Sequence, residues 1–199
     1  MSLDRTPLHL EIILGSTRVS RFGTTVLDWF ETRARLDPAW EVGVIDLATL
    51  DIPWDFSTNA DVDLLAERIA QADAVVVITP EYNHSFPGAL KAAIDIIPKT
   101  AWEAKPVGFI AYGGLSGGLR AVEALRLVFA EIHATTIRDT VSFHGTSASF
   151  DATGQPVQAE LVNAAAHQLL GQLEWWAAAL KSAKAVRPYQ QLIPAPATA

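Results

Sequence analysis

The sequence predicts an α/β fold of three layers, in which five parallel strands form a sheet with helices on both faces. Short apolar runs rich in β-branched residues alternate along the chain with longer stretches of helical periodicity. Strands that alternate with helices are joined by right-handed crossovers, which make neighbouring strands parallel. No internal repeat and no linker divides the sequence. We therefore expect one domain over residues 1–199.

Five runs have the composition of β-strands. The third run is almost wholly apolar, as expected for a strand that helices cover on both faces. The fifth run contains charged residues and carries the weakest strand signal. The predicted strands are residues 8–14, 41–47, 74–79, 106–111 and 135–143.

The stretches between and after these runs have the periodicity of helices that bury one face. In the first stretch, Val26, Leu27, Phe30 and Ala34 recur at the spacing of a single helix face. The last stretch is the longest and closes the chain before its end. The predicted helices are residues 22–35, 62–71, 88–97, 119–132 and 159–184.

Composition excludes several function classes. The net charge of −7 argues against nucleic acid or an anionic membrane surface as a partner. The absence of cysteine excludes disulfides, thiolate nucleophiles and iron–sulfur clusters, and it is consistent with a cytoplasmic protein. No run reaches the ~18 apolar residues that a membrane helix needs, and residues 1–7 lack the apolar core of a signal peptide. Residues 188–199, rich in proline and alanine, are expected to be flexible or to contact a neighbouring subunit.

The loop after the first strand, GSTRVSRFGTT at residues 15–25, has the components of a phosphate site. It matches neither the GxGxxG fingerprint nor a P-loop. It does supply hydroxyls from Ser16, Ser20 and Thr24, positive charge from Arg18 and Arg21, and the start of a helix. An ordinary strand-to-helix loop with solvated arginines would explain the same residues.

Two further loops contain residues suited to a planar ligand. TPEYNHSFPGALK, residues 79–91, offers an aromatic wall and backbone donors at Tyr82, Asn83 and His84, although Ser85 would equally serve as a helix cap there. YGGLSGGLR, residues 112–120, has four glycines, which permit close backbone approach to a ligand or make a flexible turn. Ligands of open α/β sheets bind at the carboxyl ends of the strands, so the three loops are expected to form one site.

Three motifs in these loops resemble those of the NADPH-dependent FMN reductases, a group of flavodoxin-like flavoproteins that includes quinone, azo-dye and chromate reductases. The motifs are LGSTR with a following Gly23, PEYNHSFPGALKAAID and YGGLSGGLRAVEALR, which span residues 14–126. The resemblance implies a flavodoxin-like sheet of order 2-1-3-4-5, FMN as cofactor, and NADPH or NADH as electron donor. The chain departs from the family at Ala92, where asparagine is common.

The resemblance also implies cofactor-binding residues from each loop. The first group holds the FMN phosphate (Ser16, Arg18, Thr24) or shapes the loop around it, the second borders the isoalloxazine and ribityl chain, and the third approaches the ring from the other side. They are Ser16, Arg18, Arg21, Phe22, Gly23 and Thr24; Pro80, Glu81, Tyr82, Asn83 and His84; and Gly113, Gly114 and Ser116. No catalytic side chain and no metal ligand is expected, because the flavin performs the chemistry. His133, His144 and His167 lack metal-ligand spacing.

The function that the resemblance implies is ping-pong hydride transfer from the nicotinamide to FMN and then to a small-molecule acceptor. Quinones, free flavin, azo compounds and metal ions all remain open as acceptors. A non-enzymatic flavodoxin-type electron carrier and a flavin-free interaction module on the same fold are the alternatives. The resemblance further implies a homodimer or homotetramer, in which Trp102, Trp175 and Trp176 would be interface anchors or core residues.

Overall fold

The computed structural model describes residues 6–192, and its sheet has the predicted topology. Five parallel strands lie in the order β2-β1-β3-β4-β5. They are β1 (Leu8–Leu14), β2 (Trp40–Asp46), β3 (Ala74–Pro80), β4 (Pro106–Gly113) and β5 (Thr135–His144). The α/β class, the parallel sheet and its strand order are therefore confirmed.

Five helices cover the two faces of the sheet. They are α1 (Gly23–Leu36), α2 (Ala60–Gln71), α3 (Gly88–Ile96), α4 (Leu119–Glu131) and α5 (Ala159–Val186). Successive side chains of a strand point to opposite faces, so Val76 and Ile78 pack with α1 and α5, while Val75 and Val77 pack with α2, α3 and α4. None of the helices within residues 6–192 is long and apolar enough to cross a membrane. Of the tail predicted over residues 188–199, residues 193–199 lie outside the described part of the chain.

A buried ion pair joins strand β1, which lies between β2 and β3, to α2. The Glu11 side chain is 1% exposed and accepts hydrogen bonds from Arg68 Nε at 3.0 Å and Nη2 at 2.6 Å. His9 Nε2 lies 3.2 Å from the same carboxylate. Gly43 is the partner of Glu11 across the β1–β2 ladder, and a Cβ at Gly43 would lie 2.6 Å from a carboxylate oxygen. Glycine at this position therefore makes the room in which the carboxylate and guanidinium pair.

A buried lysine binds carbonyl groups at the C-terminal end of α2. Lys105 precedes β4, is 2% exposed, and donates its ammonium to the carbonyl oxygen of Ala72, with that of Ala70 at 3.4 Å. Burial lowers the pKa of Lys105 to about 7, and the nearby positive charge of Lys184 adds to the effect. The folded protein therefore holds a lysine that loses its proton near neutral pH.

This lysine makes stability rise with pH. Above about pH 7 the folded chain has released the Lys105 proton, whereas the unfolded chain keeps it up to about pH 10. Because the unfolded state then binds more protons, the free energy of unfolding increases between these two values, by on the order of 4–5 kcal/mol. Urea denaturation at a series of pH values measures this slope. Lys105→Met should flatten it, and an unchanged slope in that variant would place its origin elsewhere.

Candidate functional site

The carboxyl ends of β1, β3 and β4 bring the three predicted loops around one cavity of about 400 Å³. Most of the predicted cofactor-binding residues line this cavity, together with four others, of which only Ser20 was named in the sequence analysis as a possible phosphate contact. The predicted ones are Ser16, Arg18, Arg21, Phe22, Pro80, Glu81, Tyr82, Gly113 and Gly114, and the others are Val19, Ser20, Tyr112 and Thr146. A larger cleft of about 630 Å³ lies between α1 and α5, away from these loops.

The first loop leads into a helix start that has no side-chain cap. Phe22 occupies the N-cap position of α1, and its apolar side chain cannot accept a hydrogen bond from the first amides. Thr24, at the second helical position, donates its hydroxyl proton to the carbonyl of Arg21 at 3.1 Å. The first N–H groups of α1 and the positive end of its dipole are therefore available to an anion.

The two arginines of this loop have different roles. Arg21 forms an ion pair with Asp46 at the end of β2, which anchors the loop, and its side chain is only 14% exposed. Arg18 has no carboxylate partner within residues 6–192, and its guanidinium lies 4.0 Å from the centroid of the Tyr82 ring. Arg18 is thus the cation that the first loop presents to a ligand.

The loop after β3 contains a tight turn with two left-handed residues. Tyr82 and Ser85 exchange backbone hydrogen bonds of 2.8 and 3.1 Å, and the two residues between them, Asn83 and His84, have φ values of 50° and 72°. This is the geometry of a type I′ turn, which is unfavourable for a residue other than glycine or asparagine. Ser85 is not a helix cap, because α3 follows Pro87. The turn holds the exposed Asn83 and His84 just outside the residues that line the cavity.

The glycine loop, defined here as residues 113–118, offers bare backbone to the cavity. A Cβ at Gly114 would meet nothing within 4 Å, whereas one at Gly113 would lie 3.0 Å from the amide nitrogen of Gly118. The empty space next to Gly114 can accommodate a flat ligand. Gly113, in contrast, lies against the backbone of Gly118, so the loop is tightly packed there.

The buried carboxylate of Glu81 ties the β3 loop to the glycine loop. It accepts hydrogen bonds from the Arg120 guanidinium at 2.9 Å and the Arg120 amide at 3.2 Å, and also from the Ser116 hydroxyl. Burial alone would raise the pKa of Glu81, but the hydrogen bonds from Ser116 and Arg120 and the positive charge of Arg120 lower it below its usual range. Ser116 therefore braces the site through Glu81 and does not line the cavity.

Tyr112 is the most buried site residue that the sequence analysis missed. Its phenol is 4% exposed, packs edge-on against Phe22 at 5.7 Å, and sits where a Cβ on Gly23 would come within 2.5 Å of its oxygen. Burial raises the pKa of Tyr112. Its hydroxyl and the Arg21 Nε are buried atoms without a hydrogen-bond partner in the described part of the chain. β4 continues two residues beyond its predicted end, and this places Tyr112 in the sheet.

Thr146 was missed for another reason. It follows β5, whose carboxyl end reaches the same edge of the sheet as β4. The parallel topology predicted from the sequence already implies this proximity. The fifth run carries the weakest strand signal, so the sequence poorly marks the carboxyl end of β5 and the loop after it.

Comparisons with known proteins agree with this geometry. The model of the family described as NADPH-dependent FMN reductase matches residues 9–148. A quinone reductase of Escherichia coli K12 is 36% identical over 138 residues, which are 64% of this chain and 72% of that protein. An NADPH:quinone oxidoreductase of Arabidopsis thaliana is 30% identical over 166 residues, covering 75% and 82%.

A solved structure with the same fold is FerB of Paracoccus denitrificans, a flavoenzyme NAD(P)H:(acceptor) oxidoreductase. It superposes with a TM-score of 0.69 at 21% identity, covering 85% of this chain and 97% of that one. At this identity the likeness shows the fold alone. The segment matched by the family model contains all three loops of the cavity.

Two glycine substitutions are expected to change the stability in opposite directions, because only the one at Gly23 places a Cβ against neighbouring atoms. Gly23→Ala would push a Cβ to 2.5 Å from the Tyr112 oxygen and 2.9 Å from Leu14, so it should lower the free energy of unfolding by about 1–3 kcal/mol. Gly171→Ala on α5 has nothing within 4 Å of the added Cβ and should raise it by about 0.5–1 kcal/mol.

Urea denaturation of both variants measures these changes, and Gly23→Ala combined with Tyr112→Phe provides the control. Removal of the phenol oxygen should restore part of the stability lost in Gly23→Ala. If Gly23→Ala alone is as stable as the parent protein, the tight packing of Tyr112 on α1 does not exist.

Proposed function

This chain belongs to the NADPH-dependent FMN reductase family, and on that basis we propose that it reduces a small quinone-type acceptor by a ping-pong mechanism. FMN is its cofactor and NAD(P)H its electron donor. Bound FMN would supply the hydride chemistry between the nicotinamide and the acceptor, so the chain itself needs no nucleophile. We favour a quinone because relatives at 36% and 30% identity are named for quinone reduction.

The observation that carries this proposal is the unpaired cation at the uncapped start of α1. Arg18 lines the cavity without a carboxylate partner, and the Gly23 and Thr24 amides at the start of α1 donate no hydrogen bond, in both cases within residues 6–192. A phosphate group would be held there by charge-assisted hydrogen bonds and by the helix dipole. The buried Tyr112 hydroxyl and Arg21 Nε, which lack partners, add polar atoms that a ligand or its water can satisfy.

The other two loops fit a flat ring. Gly113 and Gly114 supply a surface without side chains. The amides of Asn83 and His84, in the turn next to the cavity-lining Tyr82, donate no backbone hydrogen bond within residues 6–192. Such N–H donors would stabilise negative charge at the edge of a bound ring, because fixed backbone dipoles need no reorganisation. The residues present therefore fit FMN at both its anionic and its planar end.

We further propose that donor and acceptor use one open face of the site in turn. The space beside Gly114 is the open side of the cavity, and we place both substrates there. One face for two substrates requires the first product to leave before the second substrate binds. The competing proposal, a flavodoxin-type electron carrier, requires a protein partner in place of a small acceptor.

We also propose a homodimer or homotetramer in the cytoplasm, where NAD(P)H is supplied. Trp175 on α5 is 66% exposed and packs edge-on against Trp176 at 5.2 Å. An exposed tryptophan of this kind is a frequent anchor of protein interfaces. Trp102, in contrast, is 1% exposed and packs against Phe129 in the core.

Spectroscopy and steady-state kinetics test the proposed reaction. The purified protein, given FMN if it is colourless, should show bound-flavin absorption that bleaches when NADPH or NADH is added without oxygen. With a benzoquinone as acceptor, double-reciprocal plots should give parallel lines, as ping-pong turnover requires. Intersecting lines would overturn the ping-pong order, bound flavin that stays oxidised would favour the electron carrier, and failure to hold FMN would favour a flavin-free module.

A second experiment tests the role of Arg18. Arg18→Gln removes the unpaired cation and should raise the dissociation constant of FMN about 10- to 100-fold, as expected for a charge-assisted hydrogen bond. Arg35→Gln, which removes an exposed arginine at the other end of α1, is the matched control and should leave it unchanged. Isothermal titration calorimetry of both variants gives the comparison, and equal affinities would exclude Arg18 as a phosphate ligand.

A further inference from the structure

A chain of three polar contacts supports the glycine loop from the side of β5. His144, the last residue of β5, places Nδ1 3.1 Å from the carbonyl oxygen of Leu115 and Nε2 3.2 Å from the Ser142 hydroxyl. The Ser142 hydroxyl lies 2.8 Å from the carbonyl oxygen of Gly117. Two residues of β5 thus hold two carbonyl groups of the loop.

The loop is also packed tightly against these two side chains. A Cβ on Gly117 would lie 2.4 Å from the Ser142 hydroxyl oxygen and 2.6 Å from His144 Nε2, and Gly117 has a φ of 59°. The Gly145 amide donates to the Gly114 carbonyl at 3.0 Å. A shift of His144 or Ser142 would therefore move the backbone of the glycine loop.

The number of hydrogens available to this chain depends on the charge of His144. The two carbonyl oxygens can only accept, so the three contacts need one hydrogen on Nδ1, one between Nε2 and the serine oxygen, and one on the serine toward Gly117. A neutral imidazole and a hydroxyl supply only two hydrogens. The imidazolium supplies two and Ser142 the third, so all three contacts become hydrogen bonds only when His144 is protonated.

We propose that His144 is a positioning residue. When it is protonated, its hydrogen bonds to Leu115 and, through Ser142, to Gly117 fix the glycine loop against the bound flavin. The role of His144 in flavin binding rests on the proposed function, because the glycine loop borders the proposed flavin site. The effect of His144 on the loop itself is independent of that function. Loss of the proton leaves one acceptor facing another and loosens the loop. Flavin affinity is then lower when His144 has lost its proton.

The charged neighbours of this cluster balance one another. From the β3 loop and the start of α4, Glu81 and Arg120 flank the glycine loop and are ion-paired at 2.9 Å. On β5 and the residues after it, Ser142 and Thr146 are uncharged. No carboxylate within residues 6–192 lies within 4.0 Å of a His144 ring nitrogen. The hydrogen count, and not a nearby ion pair, therefore determines how the loop responds to pH.

Amide hydrogen exchange tests the effect on the loop without any added flavin. Protection factors, corrected for the intrinsic rate at each pH, are measured for the Leu119 and Gly145 amides, which donate to Ser116 and Gly114. In the parent protein they should fall about tenfold between about pH 5 and 8, as expected when one charge-assisted hydrogen bond is lost. His144→Gln and Ser142→Ala should each abolish this dependence.

Ser142→Ala is the decisive variant because it retains the histidine. Without the hydroxyl, Nδ1 and Ser142 no longer need more hydrogens than a neutral His144 supplies, so the proposal predicts that the pH dependence is lost. If His144 acted only by packing, the pH dependence would remain in this variant. His167→Gln, which changes an exposed histidine on α5, is the matched control and should behave as the parent protein. A pH-independent parent protein, or a Ser142→Ala variant that keeps the dependence, would overturn the proposal.

A titration with FMN extends the test to the site. The phosphate of FMN itself titrates in this range, so the informative quantity is the ratio of the affinities of the parent protein and Ser142→Ala at each pH. This ratio should fall about tenfold from about pH 5 to 8, and a constant ratio would remove the link between the loop and the flavin. Failure to bind FMN at any pH would contradict the proposed function and leave the exchange result as a separate measurement.

Discussion

The packing of Tyr112 against the first residue of α1 is the constraint on which the site depends. The phenol fills the space that a side chain at position 23 would need, so glycine there lets the start of the helix lie directly against the Tyr112 side chain. The same residue accepts the Glu81 amide through its carbonyl at 3.1 Å, which joins the β3 loop to the end of β4. One buried residue thus contacts both the start of α1, where we propose that the phosphate binds, and the loop after β3.

The site also reconciles an acidic protein with an anionic cofactor. The chain carries a net charge of −7, yet around the cavity Arg21 is neutralised by Asp46 and Glu81 by Arg120, and Arg18 keeps its charge. Paired charges fix the loops, and the unpaired one is left for recognition. In the proposed site, charge at short range would decide binding, because the more distant surface carboxylates are screened by salt.

The fold could be predicted from the sequence because its signals are local. Apolar runs and helical periodicity set the bounds of every strand to within two residues, and the parallel topology brought the three loops to one edge. The division of work between Arg18 and Arg21 was not predictable, since Asp46 is 25 positions away from Arg21. His144 and Thr146 were missed because their contacts depend on where β5 ends against β4, which periodicity does not reveal.

The pocket that Gly43 opens for Glu11 has a consequence for how this sequence can change over time. Positions 11, 43 and 68 form one structural unit although they are distant along the chain. A lineage cannot acquire a side chain at position 43 while the carboxylate remains, and it cannot lose the guanidinium at position 68 without stranding a buried charge. Positions 43 and 68 can change only after Glu11 has been replaced by a shorter, uncharged residue. Steric clash and desolvation therefore impose the order in which these substitutions are accepted.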